Sequence, residues 1–273
     1  MHVISFDIEE WYIYELYRKG EKSYYLPILE KLLENILEIL DERSITATFF
    51  CLGIIAREYP EVVNEIARRG HEIACHSDKH SLCTELTPYE FEEDLKRAVS
   101  SLEDTTGKRI ISFRAPSFSL TEETKWIFEI LSKHGIKNDC SVFLTNRTNG
   151  GYPSFRFNLP VKILTGNDYL YEFQVTAANY MGRLIPFSGG GYFRFLPYSV
   201  IKSLMNKNYY VMSYFHLRDF DIKQKEIISW RYLKSYYGIK SMHSKLEKFL
   251  SDFQFMSVSQ AMGLLEKQNI QEV

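Results

Sequence analysis

The chain has 273 residues, of which 45% are hydrophobic and 25% are charged, and its formal net charge is −2. A chain of this size buries a sizeable core without disulfides, and its small net charge excludes a broad electrostatic attraction to nucleic acid or anionic membranes. The N-terminus lacks the basic and apolar pattern of a signal peptide, and no run approaches the ~20 apolar residues of a membrane span. We therefore expect a protein without a transmembrane segment that is cytoplasmic or, at most, peripherally attached to a membrane.

Strands and helices are predicted to alternate through the first half of the chain. Strands are predicted at 2–7, 45–51, 71–75, 110–113 and 136–139. Helices are predicted at 26–40, 54–69, 87–106 and 121–134. Thr87 and Glu90 have the spacing of a capping box, and Gly107 follows the last turn of that helix. The alternation predicts a parallel α/β fold.

Residues 140–195 interrupt this alternation, because they are rich in glycine, asparagine, tyrosine and phenylalanine. We expect an irregular, β-rich insertion here, so that residues 1–273 form a single domain. After the insertion, a helix is predicted beyond Pro197, and a strand at 209–215 leads to His216. The remaining predicted elements are a helix at 241–249, a short strand at 253–256 and a helix at 257–267.

Several polar residues lie at or shortly after the carboxyl ends of predicted strands. They are Asp7, Glu9, His76, His80, Arg114 and Asp139. Because the carboxyl ends of the strands carry the chemistry in a β/α barrel, we expect these side chains to lie near one another. Two imidazoles and one carboxylate suit a divalent metal, and three protein ligands leave a coordination position open for water.

In their order along the chain, four blocks resemble the motifs of polysaccharide deacetylases of the NodB-homology type, which form carbohydrate esterase family four. These blocks are His76-Ser77-x-x-His80, Arg114-Ala115-Pro116-Ser117-Phe118, Asp139-Cys140-Ser141 and Tyr214-Phe215-His216. The resemblance runs from about residue 3 to residue 220. It implies a distorted (β/α) barrel and the metal-dependent removal of an N-acetyl group from an amino sugar.

The first motif departs from the family's Thr-Phe-Asp-Asp block, because Ile8 replaces the second aspartate. Alternation of strand side chains puts Asp7 and Glu9 on one side, which favours Glu9 over Glu10 as the metal carboxylate. This Asp-x-Glu spacing resembles a subgroup found in exopolysaccharide and O-antigen loci, which implies a role in surface polysaccharide biosynthesis. Residues 189–194 and 216–221 also resemble that subgroup.

The resemblance implies roles for the residues on the metal side of the site. The metal ligands are expected to be Glu9, His76 and His80, with zinc favoured and cobalt or nickel as alternatives. Asp7 is expected to be the general base, and its alternative role is to orient a ligand histidine. Arg114 is expected to pair with Asp7, the alternative being a purely structural ion pair. A backbone N–H at Ser117 is expected to stabilise the oxyanion.

The resemblance also implies roles on the leaving-group side. His216 is expected to protonate the leaving amine, and Asp139 to raise its pKa and fix its orientation. The alternative for His216 is a core histidine that binds a backbone carbonyl. Trp11 and Tyr192 are candidates for stacking on a sugar ring, although core packing is the default for any single aromatic side chain.

The expected substrate is an N-acetylated sugar, and the cytoplasmic expectation favours a nucleotide-linked or lipid-linked precursor over a finished polymer. The nearest alternative is a hydrolase of formamides or cyclic amides. A catalytically inactive glycan-binding protein is a second alternative, against which the full polar set argues. A glycosidase is a weaker third, because its two carboxylates would not need a pair of ligand histidines.

Overall fold

The computed structural model describes residues 1–17, 22–222, 237–268 and 270–273. Its strands are β1 His2–Ile8, β2 Thr48–Cys51, β3 Glu72–Cys75, β4 Ser112–Phe113, β5 Asn138–Asp139, β6 Val161–Thr165, β7 Asp168–Glu172, β8 Ala177–Tyr180, β9 Arg183–Pro186 and β10 Val211–His216. Eight of them form one sheet in the order β10-β1-β2-β3-β4-β5-β7-β6, and β8 pairs with β9 separately. Every pair in the large sheet is parallel except β6 with β7.

Helices cover this sheet. They are α1 Glu10–Tyr17, α2 Lys22–Glu42, α3 Gly53–Glu58, α4 Pro60–Arg68, α5 Pro88–Thr106, α6 Ile127–Lys133, α7 Gly190–Phe195, α8 Tyr198–Lys207, α9 Met242–Asp252 and α10 Val258–Leu265. The sheet curls into a half-barrel with β10 and β6 at its edges, which confirms the predicted α/β class and the distorted barrel. Among the helices that the structure describes, none combines the length and the apolar character needed to cross a bilayer.

Strand β1 lies between the edge strand β10 and β2, and it buries both of its faces. Ile4, Phe6 and Ile8 belong to the main hydrophobic cluster, which includes the apolar face of α2. Val3 faces the opposite way and belongs to a second cluster with Val258 of α10. Burial on both faces explains why β1 reads as a nearly continuous apolar run, as parallel strands do. Each fully buried large apolar side chain contributes roughly 1.5–3 kcal/mol.

Residues 140–195 contain strands β6 to β9, as the predicted β-rich insertion requires. Gly190–Phe195 is nevertheless a short helix rather than irregular backbone. This helix begins directly against β10. A Cβ atom at Gly189 would stand 2.3 Å from the carbonyl oxygen of Tyr214. Glycine at that position therefore permits a backbone contact that no other residue allows. The organisation of residues 1–273 as one domain remains a prediction.

Three predicted elements differ from the structure. The helix expected at 54–69 is divided into α3 and α4 at Pro60, since proline disfavours a helical conformation at the preceding residue. The helix expected at 121–134 begins only at Ile127. The strand expected at 253–256 is limited to a single bridge between Met256 and Val3.

Candidate functional site

The candidate site lies at the carboxyl ends of the parallel strands β10, β1, β3 and β4. Asp7 and His216 are direct register partners in the pairing of β1 with β10. His76 follows β3, where its backbone N–H donates to the carbonyl of Cys51 at 2.9 Å. Arg114 follows β4 in the same way. The sheet pairing therefore gathers side chains that are up to about two hundred residues apart in sequence.

Glu9, His76 and His80 form the candidate metal site. One ligand atom from each of the three residues lies within 4.8 Å of the other two. Glu9 Oε2 is 2.9 Å from His80 Nε2 and 3.4 Å from His76 Nε2. The orientation of the His76 ring is fixed by its other nitrogen, because Nδ1 lies 2.8 Å from the carbonyl oxygen of Arg114. With Nδ1 donating to this carbonyl, Nε2 presents its lone pair to the site.

The buried Nε2 atom of His76 has no hydrogen-bond partner in the described part of the chain. A buried polar atom without a partner is costly, and a metal ion would satisfy it. The donor set of two imidazoles and one carboxylate also suits zinc. The residues present therefore fit a divalent metal.

The loop that carries the histidines has an unusual backbone. Ser77 and His80 have φ angles of 69° and 60° in the left-handed region, which non-glycine residues rarely adopt. The loop is tied to neighbouring helices through Asp78, which lies 2.6 Å from the Arg57 guanidinium and whose N–H donates to Asp94 at 2.9 Å. These contacts hold a conformation that would otherwise be strained, as is common at functional sites.

Arg218 fixes the other oxygen of Glu9, because its Nη1 lies 2.6 Å from Glu9 Oε1. Burial alone would raise the pKa of Glu9, but Arg218 and the surrounding histidines lower it well below its usual range. Glu10 is also buried and lies 3.8 Å from Arg218. Burial, reinforced by Glu9, raises the pKa of Glu10 to about 7. The geometry and the ionised state both favour Glu9 as the metal carboxylate.

The expected contact between Arg114 and Asp7 is present. Arg114 Nη1 donates to Asp7 Oδ1 at 2.6 Å, and both side chains are buried. The guanidinium also lies over the ring of Phe50, 4.0 Å from its centroid. Because Oδ1 is engaged by Arg114, Oδ2 is the oxygen that faces the site, 3.6 Å from His216 Nε2.

The carboxylate beside His216 is Asp219 and not Asp139, which corrects the sequence-based expectation. Asp219 Oδ2 accepts the backbone N–H of His216 at 3.0 Å and lies 3.5 Å from the ring Nδ1. Arg194 of α7 holds the other oxygen of Asp219 at 3.0 Å. Burial and Arg218 oppose protonation of His216, but the negative charges of Glu9, Asp219 and Asp7 raise its pKa.

Asp139 instead supports the loop after β4. Its Oδ1 accepts a hydrogen bond from Ser141 Oγ at 2.6 Å, and Ser141 Oγ accepts the N–H of Ala115 at 2.8 Å. Glu172 is the direct register partner of Asp139 on the adjacent β7. Burial and the charge of Asp139 raise the pKa of Glu172 well above its usual range.

The aromatic expectations are mostly not met. Trp11 is fully buried in the main hydrophobic cluster, so it cannot stack on a sugar. Tyr192 is 43% exposed on α7, but it is not one of the described residues that line the cavity at the site. Ser117 does line this cavity, with a left-handed φ of 54°.

Arg218, Asp219 and Arg194 were not identified from the sequence as site residues. For Asp219 a signal existed, because it follows His216 at the i+3 spacing of a capping box, and the structure has that box. Arg194 ends the block 189–194 that resembles the subgroup, but that resemblance assigned it no role, and it reaches Asp219 through the placement of α7 against β10.

Comparison with known families divides the chain into two matched regions. Residues 22–138 match the family described as polysaccharide deacetylase, and residues 140–263 match a family described as a domain of unknown function, DUF3473.

A peptidoglycan deacetylase-like protein, FGM2, from Gibberella zeae is 32% identical over 110 residues, which cover 40% of this chain and 32% of that protein. A chitooligosaccharide deacetylase from Azorhizobium caulinodans is 31% identical over 103 residues, which cover 37% of this chain and 48% of that protein. The chain therefore matches less than half of the length of either of these relatives.

A crystal structure from Mycobacterium smegmatis with a provisional polysaccharide deacetylase name has the same fold. Its TM-score is 0.69, and the superposition covers 99% of this chain and 91% of that chain. The sequence identity of this pair is 19%, so the comparison concerns the fold alone.

Proposed function

We propose, from the polysaccharide deacetylase domain that residues 22–138 carry, that this chain is a metal-dependent hydrolase that removes the N-acetyl group of an amino sugar. The observation that supports this most is the clustering at one cavity of three distinct groups. They are the candidate ligands Glu9, His76 and His80, the free oxygen of Asp7 and the Nε2 atom of His216. Metal-assisted hydrolysis of an amide uses a metal site, a general base and a general acid, and these three groups can supply them.

The metal, when bound, supplies Lewis-acid activation of the attacking water, and zinc is the ion that the donor set favours, with cobalt and nickel as alternatives. Asp7 Oδ2 accepts the proton of that water, while Arg114 on Oδ1 keeps the carboxylate oriented. The water oxygen adds to the acetyl carbon. The backbone N–H of Ser117 stabilises the negative charge that develops on the carbonyl oxygen.

His216 completes the reaction as general acid. Its Nε2 faces Asp7 and Glu9 at 3.6 Å, on the cavity side of the ring, while Nδ1 faces Asp219. Asp219 stabilises the protonated ring, so that Nε2–H is available to the nitrogen of the leaving amine. The carbon–nitrogen bond breaks, and acetate and the free amino sugar leave.

The substrate belongs to a glycan or to a nucleotide-linked or lipid-linked glycan precursor, and the pathway is surface polysaccharide biosynthesis. The support for the pathway is the Asp-x-Glu first motif together with residues 189–194 and 216–221, on which the resemblance to that subgroup depends. Two of the matched relatives are named a peptidoglycan deacetylase-like protein and a chitooligosaccharide deacetylase, which supports an N-acetylated sugar in general.

The decisive experiment measures acetate release by the zinc-loaded chain from a panel of N-acetylated sugars. Acetate release that is lost on chelation and in Asp7→Asn supports the proposal, since asparagine still accepts from Arg114 but cannot take a proton. Hydrolysis of formamides or cyclic amides with no acetate from any sugar would instead support the amide hydrolase. Unchanged glycan binding in Asp7→Asn without bound metal would support an inactive glycan-binding protein.

A further inference from the structure

The cavity at the candidate site carries more positive charge than the proposed reaction requires. It has a volume of about 300 Å³, at the lower end of the range for small-molecule sites. The carboxylates that line it are Asp7 and Glu9. The cationic side chains that line it, apart from the histidines, are Lys79, Arg147 and Arg218.

Both carboxylates are already paired. Asp7 is bound by Arg114, and Glu9 is bound by Arg218, each at 2.6 Å. Neither Lys79 nor Arg147 has a carboxylate within ion-pair distance in the ranges that the structure describes. A cavity with two uncompensated cations beside a divalent metal site attracts anions.

Arg147 is held in place by aromatic side chains rather than by a carboxylate. Its guanidinium carbon lies 4.3 Å from the ring centroid of Phe143 and 5.3 Å from that of Phe118. Both rings also pack against Tyr214, at centroid distances of 6.4 Å and 4.9 Å, and the Tyr214 ring centroid is 6.3 Å from that of His216. A guanidinium ordered in this way loses less side-chain freedom on binding an oxyanion, to which its planar fork is matched.

The backbone around Arg147 is fixed to the block that carries Ser117. Gly151 N–H donates to the carbonyl of Phe118 at 3.2 Å, and Arg147 N–H donates to the carbonyl of Gly150 at 3.0 Å. A Cβ atom at Gly150 would stand 2.3 Å from the Phe118 oxygen, so only glycine permits this approach. The loop is therefore placed by close backbone packing, and Arg147 is placed with it.

We propose that Arg147, assisted by Lys79, forms an oxyanion subsite, and that the substrate is an N-acetylated amino sugar that also carries a phosphate or a carboxylate group. This inference rests on the proposed deacetylation for the identity of the reaction and adds the class of substrate. Phosphate and carboxylate share the bidentate oxyanion geometry that arginine recognises, and the experiment distinguishes them.

The test compares kcat/KM for three substrates with the zinc-loaded chain. N-acetylglucosamine 1-phosphate carries a phosphate, N-acetylmuramic acid carries a carboxylate, and N,N′-diacetylchitobiose is neutral. Arg147→Gln should lower the ratio of anionic to neutral kcat/KM about tenfold, as for loss of a charged hydrogen bond. Arg183→Gln is the matched control, because Arg183 is an exposed residue of β9 that does not line the cavity, and it should leave the ratio unchanged. The substrate with the larger loss identifies the oxyanion.

A second measurement does not depend on turnover. Inorganic phosphate is titrated calorimetrically into the chelator-treated chain, and Arg147→Gln should weaken its binding about tenfold while Arg183→Gln should not. An equal loss for all three substrates, or phosphate binding that Arg147→Gln leaves unchanged, overturns the subsite and assigns Arg147 a structural role. Phosphate binding that depends on Arg147, with no hydrolysis of any sugar, supports the subsite while the proposed reaction fails.

Discussion

Replacement of Asp219 by asparagine removes the charge that faces the Nδ1 side of His216 while keeping the size of the side chain. Asparagine Oδ1 still accepts the backbone N–H of His216, now bound at 3.0 Å, so the local turn should persist. What is lost is the stabilisation of the protonated ring by a carboxylate 3.5 Å away. A hydrogen bond to a charged group contributes about 1.5–3 kcal/mol, so kcat should fall roughly 10- to 100-fold on an acetamide substrate.

The dependence on the leaving group separates this role from a structural one. An acetamide needs its leaving nitrogen protonated, whereas 4-nitrophenyl acetate releases a stable phenolate without help. Steady-state kinetics of Asp219→Asn should therefore show a much smaller loss on the ester than on the amide. Asp139→Asn is the contrasting variant, because Asp139 binds Ser141 rather than His216. Equal losses on both substrates, or a leaving-group effect in Asp139→Asn alone, would refute the assignment.

Two further predictions concern the metal and pH. Glu9→Gln should weaken zinc binding more than about 100-fold in a chelator competition, because changes at residues that only hydrogen-bond a metal ligand already weaken metal binding about 10- to 100-fold. Glu10→Gln should weaken zinc binding less than about tenfold. The reverse order of the two losses would make Glu10 the ligand. Burial raises the pKa of Asp94 to about 6 from 3.8, so its folded form binds a proton more tightly and stability falls as pH rises from about 4 to 6. Asp94→Asn should remove this loss, about 3 kcal/mol, in urea unfolding at pH 7.5 but not below pH 4. An unchanged pH dependence would contradict it.

The site residues at the strand ends could be predicted from the sequence, because the pattern of apolar and polar residues shows where each strand ends. Asp7, Arg114 and His216 each stand where an apolar run stops, and parallel pairing brings such positions to one edge. The preference for Glu9 over Glu10 followed from the alternation of strand side chains, and the structure places Glu9 against both histidines. Local geometry was sufficient for these residues.

The division of the predicted helix 54–69 at Pro60 could also have been predicted from local geometry, since the residue before a proline avoids the helical region. The burial of Trp11 could not have been predicted in this way. Trp11 lies in the second position of α1, and whether that face of a helix meets solvent or the core depends on how α1 packs, which its own sequence does not specify. An aromatic residue beside a catalytic motif has the same pattern in either case.

The partner of His216 was the main site error, and its cause is the sheet register. Asp139 and His216 end strands that lie on opposite sides of β1, separated in the sheet by β1 to β4. Asp139 is instead engaged by Glu172 at the end of the adjacent β7, and Asp219 reaches His216 through the turn that follows β10. A motif order along the chain does not specify which strand ends are neighbours.

This arrangement also divides the proposed chemistry between two parts of the chain. The ligand histidines and Arg114 lie within the region matched by the polysaccharide deacetylase family, whereas His216, Asp219 and Arg194 lie within residues 140–263. Strand β1 joins them, because it pairs with β2 on one side and with β10 on the other and contributes Asp7 between the two halves. Neither matched region contains both the candidate ligand histidines and the proposed general acid, so the proposed hydrolysis requires the sheet pairing that brings them to the two sides of Asp7.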